Sequence, residues 1–94
     1  MNAIKEILKN ESAVVIDVRN DWEFEEGHIT GALHIPLHEI PVHINKMKSM
    51  KGPFVLYCRS GNRSAVAVNT LKQAGINNAY NGGSIFDLQK LVLN

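Results

Sequence analysis

Two short apolar runs, AVVID at residues 13–17 and FVLY at residues 54–57, constrain the fold more than any other feature of this chain. Both are too short for typical helices and are rich in β-branched or aromatic residues, which is typical of buried strands. Segments with helical periodicity surround them. This alternation predicts an α/β fold with a mostly parallel central sheet of four to five short strands and helices on both faces.

The other predicted elements follow from the same pattern. Asn20 or Asp21 is expected to cap a short acidic helix that ends at Gly27, and a longer helix is expected to begin near Pro41. Shorter strands are predicted around residues 32–35 and 78–80, and Gly82-Gly83 is predicted to form a turn. Helices are predicted over residues 3–9, 21–26, 37–50, 62–74 and 85–93. No repeat or linker interrupts the chain, so residues 1–94 are predicted to form one domain.

Composition excludes several classes of function. The formal net charge of +1 predicts no nucleic-acid partner, because no basic field is available to bind phosphates. No apolar stretch approaches the ~18 residues that a membrane span needs, so no membrane partner is expected. The N-terminal segment lacks the unbroken apolar core of a signal peptide, and the expected location is the cytoplasm.

The single cysteine, Cys58, narrows the chemistry further. One cysteine makes neither an internal disulfide nor a thiolate-rich zinc site. The four histidines form no local metal-ligand pattern, so neither a metal nor another cofactor is expected. His28 is interpreted as a structural turn residue whose ring bonds to backbone.

Cys58 follows the apolar run at residues 54–57, and a helix is predicted to start near Asn62. In parallel sheets, ligands bind outside the carboxyl ends of the strands. The amides at the helix start, the flexible Gly61, and the side chains of Arg59, Ser60, Arg63 and Ser64 together predict an anion-binding loop with a sulfur at one end. The alternative for Cys58 is a small buried hydrophobic residue that ends a strand.

The same loop is expected to lower the pKa of Cys58. A free cysteine has a pKa of about 8.5, and helix N-termini and neighbouring arginines stabilise its thiolate. The sequence therefore predicts a thiolate-rich Cys58 at neutral pH.

Two blocks of the sequence resemble the rhodanese-like sulfurtransferases. The first begins at Asp17-Val18-Arg19, continues through Glu23, and ends with GHITGALHIP at residues 27–36. The second is the loop from Cys58 to Ser64. Their order and spacing match the family, and the resemblance implies a rhodanese-like fold over nearly the whole chain.

The resemblance also implies a reaction. Cys58 would attack the outer sulfur of an anionic donor such as thiosulfate, and the resulting persulfide would pass its sulfur to cyanide, a thiol or a protein. Arg59, Ser60, Gly61, Asn62 and Arg63 would bind the donor. Arg19 would either reach the same cleft or form an ion pair with Glu23 or Asp17, and the sequence does not decide between these. Apart from the resemblance, the expected oligomeric state is a monomer or weak dimer, because an exposed sheet edge favours self-association.

Alternatives remain open at this stage. One is a non-catalytic interaction module or a protein-specific sulfur relay, and another is oxidant sensing through Cys58. A third is a cysteine-type phosphatase, whose loop holds one residue more between cysteine and arginine than the four that separate Cys58 from Arg63.

Overall fold

A computed structural model describes residues 2–93 of the chain. Its centre is a four-stranded sheet in which every neighbouring pair is parallel, in the order β2-β1-β3-β4. The strands are β1 (Val14–Asp17), β2 (Leu33–His34), β3 (Phe54–Cys58) and β4 (Ala79–Ser84). All five residues of β3 are buried, as expected for a central strand of an α/β sheet. The predicted parallel sheet is confirmed, with four strands.

Within residues 2–93, five α-helices pack around the sheet, and a short 3₁₀ helix at Leu37–Glu39 precedes the third α-helix. Pro41 lies in the first turn of this third helix, where its missing N–H is tolerated. In the second helix, Glu23 accepts a hydrogen bond from the Asn20 backbone N–H at 3.0 Å and so stabilises the start of the helix. The helices are α1 (Asn2–Leu8), α2 (Asp21–Glu26), α3 (Ile40–Lys48), α4 (Asn62–Gln73) and α5 (Ile85–Leu93).

The helices bury apolar side chains on both faces of the sheet. On one face, Ile40 and Met47 of α3 and Leu71 of α4 pack against the strands. On the other face, Leu88 of α5 packs with Tyr57 and with residues of α1. Each face therefore removes apolar surface from water, which is the main favourable contribution to folding. The predicted placement of helices on both faces is confirmed.

The prediction of a turn at Gly82-Gly83 is wrong. Both glycines lie in β4, which continues to Ser84 instead of ending near residue 80. The register shifts here, because Leu56 pairs with Asn81 whereas Tyr57 pairs with Gly83. Gly82 is thus the extra residue of a β-bulge, and a Cβ atom on it would lie 2.9 Å from a Val55 side-chain carbon. Glycine is required by this close approach within a strand.

In the part of the chain that the structure describes, no helix is long and apolar enough to cross a membrane.

Candidate active site

The carboxyl end of β3 and the start of α4 are joined by a connection of only three residues, 59–61. We call residues 58–62, which include the last residue of β3 and the first residue of α4, the Cys58 loop. Gly61 makes this turn possible, because its φ of +98° lies in the left-handed region that favours glycine. A Cβ atom at Gly61 would lie 3.4 Å from the Cα of Gly83. The loop therefore rests closely on the β4 bulge.

Cys58 is fully buried, with 0% of its surface exposed, and it also contributes to the apolar core. Its sulfur is nevertheless surrounded by polar groups. Sγ accepts a hydrogen bond from the Gly61 N–H at 3.0 Å, and the Ser64 Oγ lies 3.6 Å away. The residue thus combines the burial expected of a core cysteine with the contacts expected of an anion-binding loop.

The pKa of the Cys58 thiol is lowered from its ordinary value. Burial acts to raise it, but hydrogen bonds from the Ser64 hydroxyl and from the backbone of Ser64, Ser60 and Gly61 outweigh this effect. The predicted direction is confirmed, and so is the contribution of the helix start. The arginines contribute less to lowering this pKa than the hydrogen bonds do, because Arg63 interacts with Cys58 electrostatically without a hydrogen bond.

Arg63 does not point freely into the loop. Its two terminal nitrogens donate to the two carboxylate oxygens of Glu23 at 2.7 and 3.0 Å. Glu23 is buried, and this hydrogen-bonded pairing lowers the pKa of its carboxyl to about 2. The ion pair therefore ties the first turn of α4 to α2.

Arg19 forms the ion pair that one of the two sequence interpretations expected. It binds Asp17 through Nε and through its terminal nitrogen, the latter at 2.7 Å, and the same nitrogen donates to the Gly27 carbonyl oxygen at 2.7 Å. The guanidinium also lies 5.7 Å from the centre of the Tyr57 ring. Asp17 is fully buried, so Arg19 compensates a charge inside the protein.

An open depression of about 510 Å³ lies beside the Cys58 loop, lined by residues that include Arg59, Arg19, Trp22 and Ile85. Arg19 therefore borders the same surface as the loop, as the other interpretation expected. Arg59 is exposed, and no ion pair joins it to any side chain that the structure describes. It is the cation of the site with the most freedom to meet an anion.

The remaining predicted loop residues lie at the helix start. Ser60 and Asn62 are exposed, and the Ser60 Oγ lies 3.5 Å from the Asn62 N–H, a long hydrogen bond. The six predicted residues thus form one continuous segment that runs from the last residue of β3 through the three-residue connection into the first turn of α4: Cys58, Arg59, Ser60, Gly61, Asn62 and Arg63. Which of them contact a substrate stays a prediction.

Among the described residues, no histidine forms a hydrogen bond with Cys58. His28 is interpreted correctly as a turn residue, because its Nδ1 lies 2.9 Å from the Phe24 carbonyl oxygen and its ring stacks on Phe24. Within residues 2–93, no three side chains of His, Cys, Asp or Glu converge in a way that could hold a metal ion. The groups that the described residues place around Cys58 Sγ are the Gly61 amide and the Ser64 hydroxyl.

Two contacts near Cys58 were missed in the sequence, namely the pairing of Glu23 with Arg63 and the hydrogen bonds of Asn81. Glu23 belongs to the first sequence block, but its pairing with Arg63 spans forty residues and has no local signal. Asn81 lies between the strand predicted at residues 78–80 and the turn predicted at Gly82-Gly83, and its side chain bonds to both Ser64 and Gly61. The two glycines after Asn81 led to the wrong prediction of a turn, because glycine is more common in turns than in strands.

Comparison with known proteins agrees with this geometry. The chain matches the family described as "Rhodanese-like domain" over residues 1–85, and it belongs to that family. Among curated proteins, it is 35% identical over 83 residues to thiosulfate sulfurtransferase GlpE of Pseudomonas putida, covering 88% of this chain and 74% of that protein. It is also 44% identical over 69 residues to the uncharacterized protein YqhL of Bacillus subtilis.

Some relatives are considerably longer than this chain. The match to YqhL covers 73% of this chain but 54% of YqhL. The match to the putative sulfur carrier protein YrkF of Bacillus subtilis, at 34% identity, covers 82% of this chain and 41% of YrkF. The chain therefore spans about half the length of these two relatives.

Solved structures share the same fold. A rhodanese from E. coli, described as containing anions, matches with a TM-score of 0.74 and 29% identity, over 80% of this chain and 89% of that one. The human single-domain sulfurtransferase TSTD1 matches with a TM-score of 0.72 and 25% identity, over 96% of this chain and 92% of that one. The rhodanese-like fold expected from the sequence is confirmed.

Proposed function

We propose that this chain is a sulfurtransferase that moves sulfane sulfur from an anionic donor such as thiosulfate to a thiophilic acceptor through a persulfide on Cys58. The observation that carries this proposal is the sulfur environment. Cys58 Sγ ends a central strand, accepts the Gly61 N–H at 3.0 Å and has a lowered pKa. A thiolate held by neutral donors in this way is a nucleophile that needs no general base.

The proposed reaction has two displacements. The Cys58 thiolate attacks the outer sulfur of thiosulfate, the S–S bond of the donor breaks, and sulfite leaves with the bonding electron pair. The persulfide that remains on Cys58 is then attacked at its outer sulfur by cyanide or a thiolate. This second step regenerates the Cys58 thiolate. Because Cys58 is the only cysteine, no internal thiol competes for the persulfide.

Anion binding is assigned to the loop and to Arg59. The amides at the start of α4 suit both the persulfide and the departing sulfite, since a helix N-terminus favours negative charge. Arg59 is exposed beside the loop and has no ion-pair partner among the described residues, so it is suited to meet the donor. Arg63 and Arg19 hold carboxylates, and we assign them to supporting the loop and the cleft.

The relatives support this assignment at the level of the reaction class. The P. putida relative is named a thiosulfate sulfurtransferase, and the E. coli structure is described as a rhodanese with anions. A free thiol also suits the reducing cytoplasm, which is where we place the activity.

A second candidate is a relay that passes sulfur only to a specific protein. Two observations favour it. Cys58 is fully buried, so the loop controls which molecules reach its sulfur. One relative, at 34% identity, is named a putative sulfur carrier protein. A relay would accumulate the persulfide but turn over slowly with cyanide.

A phosphatase is disfavoured by the same geometry. Only four residues lie between Cys58 and Arg63, and the Arg63 guanidinium is already bound to Glu23 through both terminal nitrogens. It is therefore poorly placed to bind the oxygens of a phosphoryl group.

The test is a steady-state assay with thiosulfate and cyanide, in which thiocyanate is measured alongside hydrolysis of an aryl phosphate. We expect thiocyanate formation and no hydrolysis. Hydrolysis that disappears in Cys58→Ser would replace the proposal with a phosphatase. Rapid persulfide formation with slow thiocyanate release would favour the relay.

A further inference from the structure

The side chain of Asn81 is held in one orientation by two backbone groups. Its Oδ1 accepts the Gly83 N–H at 2.9 Å, and its Nδ2 donates to the Gly61 carbonyl oxygen at 3.1 Å. Rotating the amide by half a turn would place Nδ2 against an N–H and Oδ1 against a carbonyl, which loses both hydrogen bonds. The β4 bulge therefore fixes which atom of Asn81 faces the Cys58 loop.

The atom that faces Ser64 is the acceptor Oδ1. The Ser64 Oγ lies 2.7 Å from it, and since Oδ1 has no hydrogen, Ser64 must be the donor. Ser64 is fully buried, whereas Asn81 is exposed, so the Ser64 hydroxyl depends on protein acceptors for its hydrogen. A hydroxyl has a single hydrogen, and the Gly61 carbonyl oxygen, 3.1 Å from Ser64 Oγ, is a second and longer acceptor for it. While the hydrogen lies on the shorter bond to Asn81, Ser64 presents a lone pair to Cys58 Sγ, 3.6 Å away.

We propose that Asn81 is a positioning residue that sets the reactivity of Cys58 by competing with its sulfur for the single hydrogen of Ser64. In the thiol form, Cys58 donates to Ser64, and Ser64 donates to Asn81. When Cys58 ionises, its proton passes to solvent and the Ser64 hydrogen turns toward the sulfur. Asn81 Oδ1 then keeps only the Gly83 N–H.

This competition opposes ionisation of Cys58. The thiol form has a complete chain of hydrogen bonds within the protein, whereas the thiolate form leaves the exposed Asn81 with one protein hydrogen bond fewer. Removing the Asn81 acceptor should therefore favour the thiolate and accelerate its reaction with electrophiles. The consequence for sulfur transfer rests on the function proposed above, but the effect on the thiol itself does not.

The charged groups around Cys58 are left in place by this test. They are Arg59 and Arg63 of the loop and first turn of α4, Glu23 of α2, and Asp17 and Arg19 at the end of β1. The residues of β4, which carries Asn81, contribute no charged side chain. A change at Asn81 to a neutral residue thus alters hydrogen bonding without altering charge.

The experiment measures the pKa of Cys58 in the purified full chain from the pH dependence of its alkylation, with ultraviolet absorbance of the thiolate as a second readout. Asn81→Ala should lower this pKa by about half a unit, because one hydrogen bond is redistributed. Asn81→Leu, which keeps a side chain of similar size but removes the acceptor, should lower it similarly. Ser64→Ala should raise it, and Asn81→Ala should then have no further effect in the double variant.

Asn78→Ala is the matched control, because Asn78 donates to the Lys51 carbonyl oxygen at the opposite end of the sheet. It should leave the pKa unchanged. The proposal is overturned if neither Asn81 variant lowers the pKa, or if the shift persists without the Ser64 hydroxyl. Both readouts work without a sulfur donor, so this result stays distinct from a failure to transfer sulfur.

Discussion

The ends of β1 and β3 lie side by side in the sheet but stabilise negative charge in different ways. At the last residue of β1, the buried carboxylate of Asp17 is neutralised by the full charge of Arg19. At the last residue of β3, the Cys58 sulfur is contacted by an amide and a hydroxyl that carry no net charge. A carboxylate paired with arginine is fixed in place, whereas a thiolate among neutral donors keeps its nucleophilicity. The ion pairs therefore support the structure around the site, whereas the neutral hydrogen-bond donors contact the reacting sulfur.

The largest expected effect comes from removing the nucleophile. Cys58→Ser should abolish sulfur transfer, because a serine hydroxyl is not ionised at neutral pH, while the similar size of the side chain preserves the core. Thiocyanate formation and the thermal midpoint are the two measurements. Activity retained in a folded Cys58→Ser protein would place the chemistry elsewhere.

Removing the ion pair between Glu23 and Arg63 should mainly lower the free energy of unfolding. Glu23→Gln removes the charge but keeps an acceptor for the Asn20 N–H, and we expect a loss of about 2 kcal/mol because Arg63 is left without its counter-ion. Urea unfolding measures this loss. Glu25→Gln on the exposed side of the same helix is the control and should be nearly neutral. Equal stability of both variants would show that the ion pair contributes nothing.

The same pair predicts how stability depends on pH. The Glu23 pKa in the folded protein is lowered from its ordinary 4.5 to about 2. Its contribution is therefore fully present above pH 4.5 and is lost as the pH falls toward 2. The stability difference between wild type and Glu23→Gln should shrink across this window, as measured by urea unfolding at several pH values. A difference that is constant with pH would contradict the role of the Glu23 charge.

Alanine substitutions at two glycines distinguish the cost of backbone strain from an effect on the geometry of the Cys58 loop. Gly61 and Gly75 have similar φ values, +98° and +96°, but a Cβ atom would contact Gly83 only at Gly61. Alanine at either position should cost about 1 kcal/mol through left-handed strain, as measured by urea unfolding. Only Gly61→Ala should also slow sulfur transfer, because it displaces the amide that binds Cys58. If Gly75→Ala slowed the reaction equally, the effect would be one of general stability.

The smallest effect is expected at the exposed arginine. Arg59→Ala should raise the KM for thiosulfate about fivefold, with little change in stability, because it removes a single solvent-exposed charge from the anion site. Arg59→Lys should restore most of the affinity if charge alone matters. An unchanged KM in Arg59→Ala would assign anion binding to the loop amides.

The sequence predicts the elements of this site better than the contacts between them. The apolar run before Cys58 and the start of a helix near Asn62 are local patterns, and both lead directly to the loop. The pairing of Glu23 with Arg63 depends on how α2 and α4 approach each other across the fold, which no local pattern encodes. Asn81 was missed for a different reason, since pairing with the central strand β3 overrides the turn preference of its neighbouring glycines.

The central claim is that Cys58 carries sulfur, and intact mass spectrometry after incubation with thiosulfate tests it most directly. We predict that the protein gains the mass of one sulfur atom, that cyanide removes it, and that Cys58→Ser does not acquire it. A wild-type protein that remains unmodified by thiosulfate, while Cys58 still reacts with an alkylating agent, would contradict transfer from this donor.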